Sequence, residues 1–328
     1  ITKLTMDDDR KKPPMEPSLT YTYKQVGNTI INLDQRDGAH NISSPVMLFV
    51  HGGAWIGGNR QEFSRPVFEE FLSHVFVVVA TNYRLVPESS FINSQLEDIR
   101  DVETWIKTEM PSKLKDHGFD VQTEQIVVVG GSAGALLALL TPKLWKTKPS
   151  AIPRNLRTNK HASAASSCNY HRPTSNSGSP LSELGNNGRN HQLQLPAFKH
   201  TKTDISCRMA EPRTKMGIYM FRSETVVDLL LHGLTQTEQD GNRHLAFPQA
   251  GGATKEEINQ ICAQGGLFET CHVTDFAAAL EKQGIPHKEH SVPGVDHAFD
   301  MGAKVGDDVH LNVIKPAVDW IVQVVGSS

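Results

Sequence analysis

The sequence predicts an α/β fold with a mostly parallel, doubly wound sheet and helices on both faces. Two short apolar runs, Val46–Val50 and Ile126–Val129, are continuous and rich in β-branched residues, as expected for strands buried on both faces. Between them lies a predicted crossover helix whose apolar residues recur at helical spacing: Leu96, Ile99, Val102 and Ile106. Buried strands that alternate with amphipathic helices are typical of parallel sheets with right-handed crossovers.

The remaining elements continue this alternation along the chain. Residues 20–33 predict an initial hairpin, and Val75–Ala80 predict another buried strand. A helix is predicted over Ala135–Leu140, and a last strand over Lys288–Val292. A final amphipathic helix is predicted from apolar residues at helical spacing: Leu311, Ile314, Val318, Ile321 and Val325.

A glycine-rich turn joins the second buried run to the helix that follows it. Gly130–Gly134 reads Gly-Gly-Ser-Ala-Gly, which matches the Gly-x-Ser-x-Gly pattern of a nucleophile elbow in its strand–turn–helix context. A serine hydroxyl becomes a useful nucleophile only when it is exposed and paired with a base. The tight turn requires small neighbours, so the pattern predicts that Ser132 is a catalytic nucleophile.

A second glycine loop follows the first buried run. His51-Gly52-Gly53 stands directly after Val46–Val50, where absent side chains would let the backbone approach a substrate. We expect the amides of Gly52, Gly53 and Ala133 to form an oxyanion hole. No phosphate-loop or dinucleotide pattern follows either strand, which argues against nucleotide binding. Trp55, beside the loop, is a candidate for the substrate pocket, although a buried packing role is the alternative.

The predicted general base lies near the C-terminus. His297 stands in a loop between the predicted last strand and the final amphipathic helix. In a fold with a Gly-x-Ser-x-Gly elbow, the triad follows the chain order serine, acid, histidine. This order distinguishes His297 from the other histidines of the chain.

Four segments together resemble the α/β-hydrolase superfamily, and within it the hormone-sensitive-lipase-like carboxylesterases. They are the His51–Trp55 loop, the Asn82–Glu88 run (Asn-Tyr-Arg-Leu-Val-Pro-Glu), the Gly130–Ala135 elbow and the Gly294–Asp300 loop. The resemblance implies an α/β-hydrolase fold, an acyl-enzyme mechanism, a cap that shapes the substrate pocket, and neither a metal nor another cofactor.

The sequence departs from this family at the third triad member. The family has a strand followed by His-Gly-x-x-Asp. Leu229–Gly233 resembles such a strand and turn, but Gln236 occupies the acid position, with Asp240 farther along. Asp240 is therefore one candidate for the acid.

A second segment fits the expected order of elements better. Gly266-x-x-Glu269 lies just ahead of a predicted helix that begins at Asp275, and the strand before His297 follows directly. We expect Glu269 to orient the imidazole of His297 and to stabilise its protonated form. Asp240, Asp275 and the absence of a functional acid remain alternatives.

The middle of the chain is unusually polar. From about residue 141 to 215, aliphatic residues are sparse, and we interpret residues 141–250 as an atypical insert or cap. The family places a strand soon after the elbow helix, but His161–Cys168 is a poor candidate for it. A polar cap, a degenerate segment of a decayed paralogue and an error in the sequence all remain open. We interpret residues 1–18 as a flexible arm and residues 19–328 as one domain.

Net charge and hydropathy argue against two classes of partner, nucleic acids and membranes. The 328-residue chain has a formal net charge of −3 and no basic stripe, which argues against nucleic-acid binding. No apolar stretch approaches the length of a membrane span. We expect a small-molecule ester substrate, a possible homodimer and a cytoplasmic location, with secretion as the alternative.

The sequence therefore predicts a serine hydrolase that cleaves carboxylic esters of small or medium acyl groups. The proposed catalytic residues are Ser132, His297 and Glu269. An arylformamidase-like amide hydrolase is one alternative, because the His-Gly-Gly-Ala-Trp variant also resembles such enzymes. A catalytically dead binding protein is the other, because the acid differs from the family pattern.

Overall fold

The computed structural model describes residues 15–36, 43–86, 89–144, 163–166, 230, 235–239, 242–246, 277–278, 280–290, 292, 295 and 298–326. The strands are β1 (Leu19–Val26), β2 (Thr29–Arg36), β3 (Ser43–Val50), β4 (Val77–Thr81), β5 (Asp120–Gly131), β6 (Ser163–Ser166), β7 (Thr235–Gln239) and β8 (Asn242–Ala246). The helices are α1 (Arg65–Ser73), α2 (Leu96–Thr108), α3 (Met110–Lys115), α4 (Ala133–Leu144) and α5 (Lys315–Gly326). Shorter helical turns are Phe91–Gln95, Phe299–Gly302 and His310–Ile314.

Within the described residues, six strands form one mixed sheet in the order β1-β2-β4-β3-β5-β6. β1 and β2 form the predicted hairpin, and β2 pairs antiparallel with β4. From β4 onward, neighbouring strands are parallel. β7 and β8 form a separate antiparallel pair.

Helices cover both faces of the sheet. Because successive side chains of a strand point to opposite faces, Val46, Leu48 and Val50 enter one apolar cluster, whereas Met47 and Phe49 enter another. The first cluster includes residues of α2, α3 and α4, and the second includes residues of α1 and α5. This arrangement confirms the predicted α/β fold with a mostly parallel, doubly wound sheet.

The register of β3 and β5 brings the two glycine segments together. Val50 pairs with Gly130 in the parallel ladder, so both strands end at the same edge of the sheet. The loop after β3 and the turn after β5 therefore leave this edge side by side. In open α/β sheets, ligands bind outside the carboxyl ends of the strands. We therefore expect a ligand-binding or catalytic site at this edge.

The structure corrects the sequence interpretation in three places. His161–Cys168, judged a poor strand candidate, contains β6, which pairs with β5. The strand predicted over Lys288–Val292 is not formed by described residues 285–290 and 292, and Lys288–His290 are exposed. Leu311 is 49% exposed because the π-type turn His310–Ile314 changes the helical phase ahead of α5.

The proposed division into an arm, one domain and an insert stays a prediction, and most of residues 141–250 lie outside the described part of the chain. Among the helices that the structure does describe, none has the length and apolar character needed to cross a membrane.

Candidate active site

The turn between β5 and α4 holds Ser132 in a strained conformation. Ser132 has a φ of 52°, in the left-handed region that non-glycine residues rarely occupy. A Cβ added at Gly130 would lie 2.2 Å from the Gly134 carbonyl oxygen, and one at Gly134 would lie 2.1 Å from that of Val50. Glycine at both positions therefore lets strand and helix approach closely. Ser132 itself is only partly buried. This is the strand–turn–helix geometry expected of a nucleophile elbow.

The glycine loop after β3 lies against this turn. A Cβ added at Gly52 would be 3.1 Å from the Cβ of Ser132 and 3.0 Å from the Gly131 carbonyl oxygen. Gly53 has a φ of 105°, and Ala54 and Trp55 after it are also left-handed, at 53° and 62°. Strain of this kind persists where the surrounding structure enforces it, and it is concentrated at functional sites.

Three backbone amides near Ser132 have no acceptor among the described residues. In that part of the chain, no hydrogen bond uses the N–H of Gly52 or Gly53. Ala133 is the first residue of α4, so its N–H has no acceptor inside the helix. The helix dipole also favours negative charge at this end. Amides that are available beside a serine can stabilise an oxyanion, as the sequence predicts for these three residues.

His51 is a buried side chain whose surroundings disfavour its protonated form. Its Nδ1 lies 2.7 Å from the Gly52 carbonyl oxygen, so Nδ1 carries the proton and donates it. Burial lowers the pKa of His51 to about 4 from its ordinary value of 6.5, although the hydrogen bond to Gly52 opposes this shift. A histidine with so low a pKa would be a weak proton acceptor at neutral pH.

The low pKa of His51 makes folding stability depend on pH. The unfolded chain binds a proton at this residue below pH 6.5, whereas the folded chain does so only near pH 4. We therefore expect the free energy of unfolding to fall as the pH is lowered from about 6.5 to 4, with about 3 kcal/mol due to His51. Urea unfolding at a series of pH values measures this.

The matched variant is His51→Leu, which lacks the titrating group. Its stability should fall less steeply over the same pH range, whatever its absolute value. An identical slope in the two proteins would contradict the assignment to His51.

Trp55 packs in the core behind the glycine loop. Its side chain is 1% exposed and meets Phe91 edge to face, with ring centroids 6.3 Å apart. Its carbonyl oxygen accepts hydrogen bonds from the Val86 amide at 2.9 Å and from Gln95 Nε2 at 3.0 Å. These contacts fit the packing alternative, and its role in a substrate pocket stays a prediction.

The other predicted catalytic groups, His297, Glu269, Asp240 and Asp275, lie outside the described residues. The segment just after His297 is described. Ala298 is left-handed, with a φ of 60°, and begins the short helical turn Phe299–Gly302. Ser64, at the N-terminus of α1, donates a hydrogen bond to the Asp300 carbonyl oxygen at 2.9 Å. This bond connects the segment after His297 to the start of α1.

Among the described residues, one group of side chains has spacing suitable for a metal ion. Ligand atoms of Glu70, His74 and Asp319 lie within 4.8 Å of one another. The ammonium of Lys315 is already 2.9 Å from Glu70 and 3.2 Å from Asp319, and it supplies the positive charge there. These residues belong to or adjoin α1 and α5, and none lies in the two glycine segments.

Sequence reasoning missed the residues that support the glycine loop from behind. Tyr83 contacts the loop through its hydroxyl group, and Gln95 binds the carbonyl of Trp55. Tyr83 stands in the Asn82–Glu88 run, one of the four segments that carry the family resemblance, and this could have marked it as a candidate functional residue. Its hydrogen-bond partner could not be read from the sequence.

Comparison with known proteins agrees with this geometry. Residues 35–172 match the BD-FAE family model, which describes an α/β-hydrolase-like domain. A Staphylococcus aureus protein of unknown function has the same fold, with a TM-score of 0.57 at 14% identity over 94% of this chain and 99% of that chain. The esterase LipW from Mycobacterium marinum is 26% identical over 38% of this chain and 37% of its own, with a TM-score of 0.31.

One curated relative is a much longer protein. The non-reducing polyketide synthase stbA from Stachybotrys bisbyi is 23% identical over 92% of this chain, which spans only 14% of the length of that synthase. The sheet, the strained serine turn and the BD-FAE match agree, and the chain has an α/β-hydrolase fold whose motifs resemble those of the hormone-sensitive-lipase-like carboxylesterases.

Proposed function

We propose that the chain is a serine hydrolase that cleaves carboxylic esters of small or medium acyl groups through an acyl-enzyme. The observation that carries the proposal is the position of Ser132. It occupies a left-handed turn at the head of α4, is partly accessible, and is opposed by a glycine loop in which the amides of Gly52 and Gly53 donate to no residue that the structure describes. Backbone strain of this kind is concentrated at functional sites, which supports a catalytic role.

In the proposed mechanism, the Ser132 hydroxyl attacks the ester carbonyl while His297 accepts its proton. The amides of Gly52, Gly53 and Ala133 stabilise the tetrahedral oxyanion. His297 then gives the proton to the departing alcohol, which leaves an acyl group on Ser132. Water attacks this acyl group with His297 again as the base, and the acid and the free serine are released. Glu269 orients the imidazole, with Asp240 and Asp275 as alternatives.

The low pKa of His51 supports the assignment of the base to another histidine. Although His51 adjoins the glycine loop, its Nδ1–H is committed to the Gly52 carbonyl. His297, from its place after the predicted acid, is the histidine that the triad order favours.

One observation favours a second substrate class. Relatives named as non-reducing polyketide synthases match most of this chain, including stbA over 92% and Preu6 from Preussia isomera over 85%. A polyketide is an acyl chain, and its release from an oxygen or sulfur ester uses the same serine chemistry. An acyl group of this kind, held as a thioester, is therefore the second candidate substrate.

Parallel kinetics with four substrates test these proposals. We expect p-nitrophenyl acetate and butyrate to be hydrolysed with kcat/KM at least about ten times that for N-formylaniline. The N-acetylcysteamine thioester of butyrate tests the second substrate class in the same assay. A preference for the formyl amide would contradict the ester proposal in favour of an arylformamidase, and no turnover of any substrate by folded protein would favour a binding protein.

A further inference from the structure

Tyr83 contacts the glycine loop from the side away from solvent. Its side chain is fully buried, and its hydroxyl donates a hydrogen bond to the His51 carbonyl oxygen at 3.0 Å. The Gly52 carbonyl oxygen lies 3.4 Å from the same hydroxyl. The phenol ring also stacks on the His51 imidazole, with centroids 4.2 Å apart and planes inclined by 12°.

All three carbonyl groups at the start of the loop are engaged. The His51 carbonyl accepts from Tyr83, and the Gly52 carbonyl accepts from His51 Nδ1 at 2.7 Å. The Gly53 carbonyl accepts from the amides of Ile56 and Gly57, at 3.1 and 2.9 Å. The loop backbone is therefore held by hydrogen bonds at each successive peptide unit.

The engaged carbonyls determine where the amides point. In a trans peptide, the C=O and the following N–H point in opposite directions. Because the His51 carbonyl is held by Tyr83, the Gly52 N–H points away from Tyr83. Because the Gly52 carbonyl is held by His51, the Gly53 N–H points away from the His51 ring. Neither of these two amides donates to a described residue.

The segment that carries Tyr83 is itself firmly anchored. The next residue, Arg84, forms hydrogen bonds from its amide and its guanidinium to the fully buried Asp98 of α2, at 2.8 to 3.0 Å. The backbone N–H of the preceding residue, Asn82, donates a hydrogen bond to the carbonyl oxygen of Asn32 in β2 at 3.0 Å. These hydrogen bonds fix the position of Tyr83, so its hydroxyl can hold the loop backbone in place.

The hydroxyl of Tyr83 stays a donor at all working pH values. Burial raises the pKa of Tyr83 far above its usual range, and the nearby charge of Glu62 raises it further. A protonated phenol has one proton to donate, and here the carbonyl of His51 receives it.

We propose that Tyr83 is a positioning residue for the oxyanion hole, acting through its hydrogen bond to the His51 carbonyl and its stacking on the His51 ring. The inference rests on the proposed serine hydrolase function. It adds a group that never touches the substrate but fixes the direction of two amide donors. Displacing such donors by a fraction of an ångström weakens transition-state stabilisation more than substrate binding.

The test is Tyr83→Phe, which removes the hydroxyl and keeps the stacked ring. We expect kcat for p-nitrophenyl butyrate to fall about 10- to 100-fold, with KM within about threefold of the wild type. The affinity for 1,1,1-trifluorooctan-2-one, whose adduct with serine carries an oxyanion, should fall in parallel with kcat/KM. A residue that only stabilised the fold would not produce this parallel loss.

The matched control is Tyr21→Phe. Tyr21 lies in β1 and its ring packs on that of Trp105 in α2, with centroids 5.3 Å apart, so this change also removes a phenol hydroxyl but leaves the segment that anchors Tyr83 untouched. We expect its kcat to stay within about threefold of the wild type. If Tyr83→Phe does not accumulate as folded protein, His51→Leu removes the donor to the Gly52 carbonyl and should produce the same loss of kcat at unchanged KM.

The outcomes separate this inference from the proposed function. Wild-type turnover together with equal activity of Tyr83→Phe and Tyr21→Phe would overturn the role of Tyr83 alone. A loss that appears in KM and leaves the trifluoromethyl ketone affinity unchanged would do the same. A folded wild type that neither hydrolyses the ester nor binds the ketone would overturn both.

Discussion

Replacing Ser132 with alanine is expected to abolish ester hydrolysis and leave the fold intact. The change removes only the hydroxyl that forms the acyl-enzyme, so kcat/KM should fall at least about 10⁴-fold. Alanine carries the same Cβ as serine at a φ of 52°, so the strain of the turn is unchanged. Steady-state kinetics and urea unfolding of the same preparation measure both effects.

Ser112→Ala is the matched control for this experiment. Ser112 lies in α3, and its hydroxyl donates to the Glu109 carbonyl at the protein surface. Its removal should leave turnover unchanged. Retained activity in Ser132→Ala at the wild-type level would eliminate Ser132 as the nucleophile and, with it, the proposed mechanism.

Replacing Gly134 with alanine is expected to lower the free energy of unfolding strongly. Helix propensity alone would favour alanine by about 1 kcal/mol. The added Cβ would lie 2.1 Å from the Val50 carbonyl oxygen and 2.4 Å from that of His51, which are backbone atoms that no side-chain rotation can move. We therefore expect a loss of about 3 kcal/mol or more in the free energy of unfolding, or failure to fold.

Gly302→Ala provides the control because the same substitution meets no neighbour there. Apart from its chain neighbours and the backbone of its own helical turn, no heavy atom of the described residues lies within 4 Å of the Cβ position at Gly302. Its free energy of unfolding should stay within about 0.5 kcal/mol of the wild type. Equal stability of Gly134→Ala and wild type would show that α4 and β3 do not approach as closely as described.

The fold was largely predictable because its central strands are buried on both faces. Val46–Val50 and Ile126–Val129 are short, continuous apolar runs rich in β-branched residues, which favours strands buried on both faces. β6 was not predictable, since Ser163–Ser166 has no strongly apolar residue and is a strand by pairing with β5. Leu311 followed the helical period, but the π-type turn at His310–Ile314 changes the period locally.

The site was predictable only where chemistry requires a local pattern. A tight strand–turn–helix needs glycine around its serine, so Gly130–Gly134 identified the elbow. The triad acid has no comparable local signature, and Glu269 stays a prediction. The contact of Tyr83 with His51 joins residues 32 positions apart, and only the folded chain brings them together.

The most direct test of the proposed nucleophile is labelling with a fluorophosphonate probe, followed by mass spectrometry of the modified peptide. We expect stoichiometric labelling of the wild type at Ser132 and loss of labelling in His297→Ala. A folded protein that is not labelled, or that is labelled at another residue, would contradict the claim that the strained turn after β5 holds an active nucleophile.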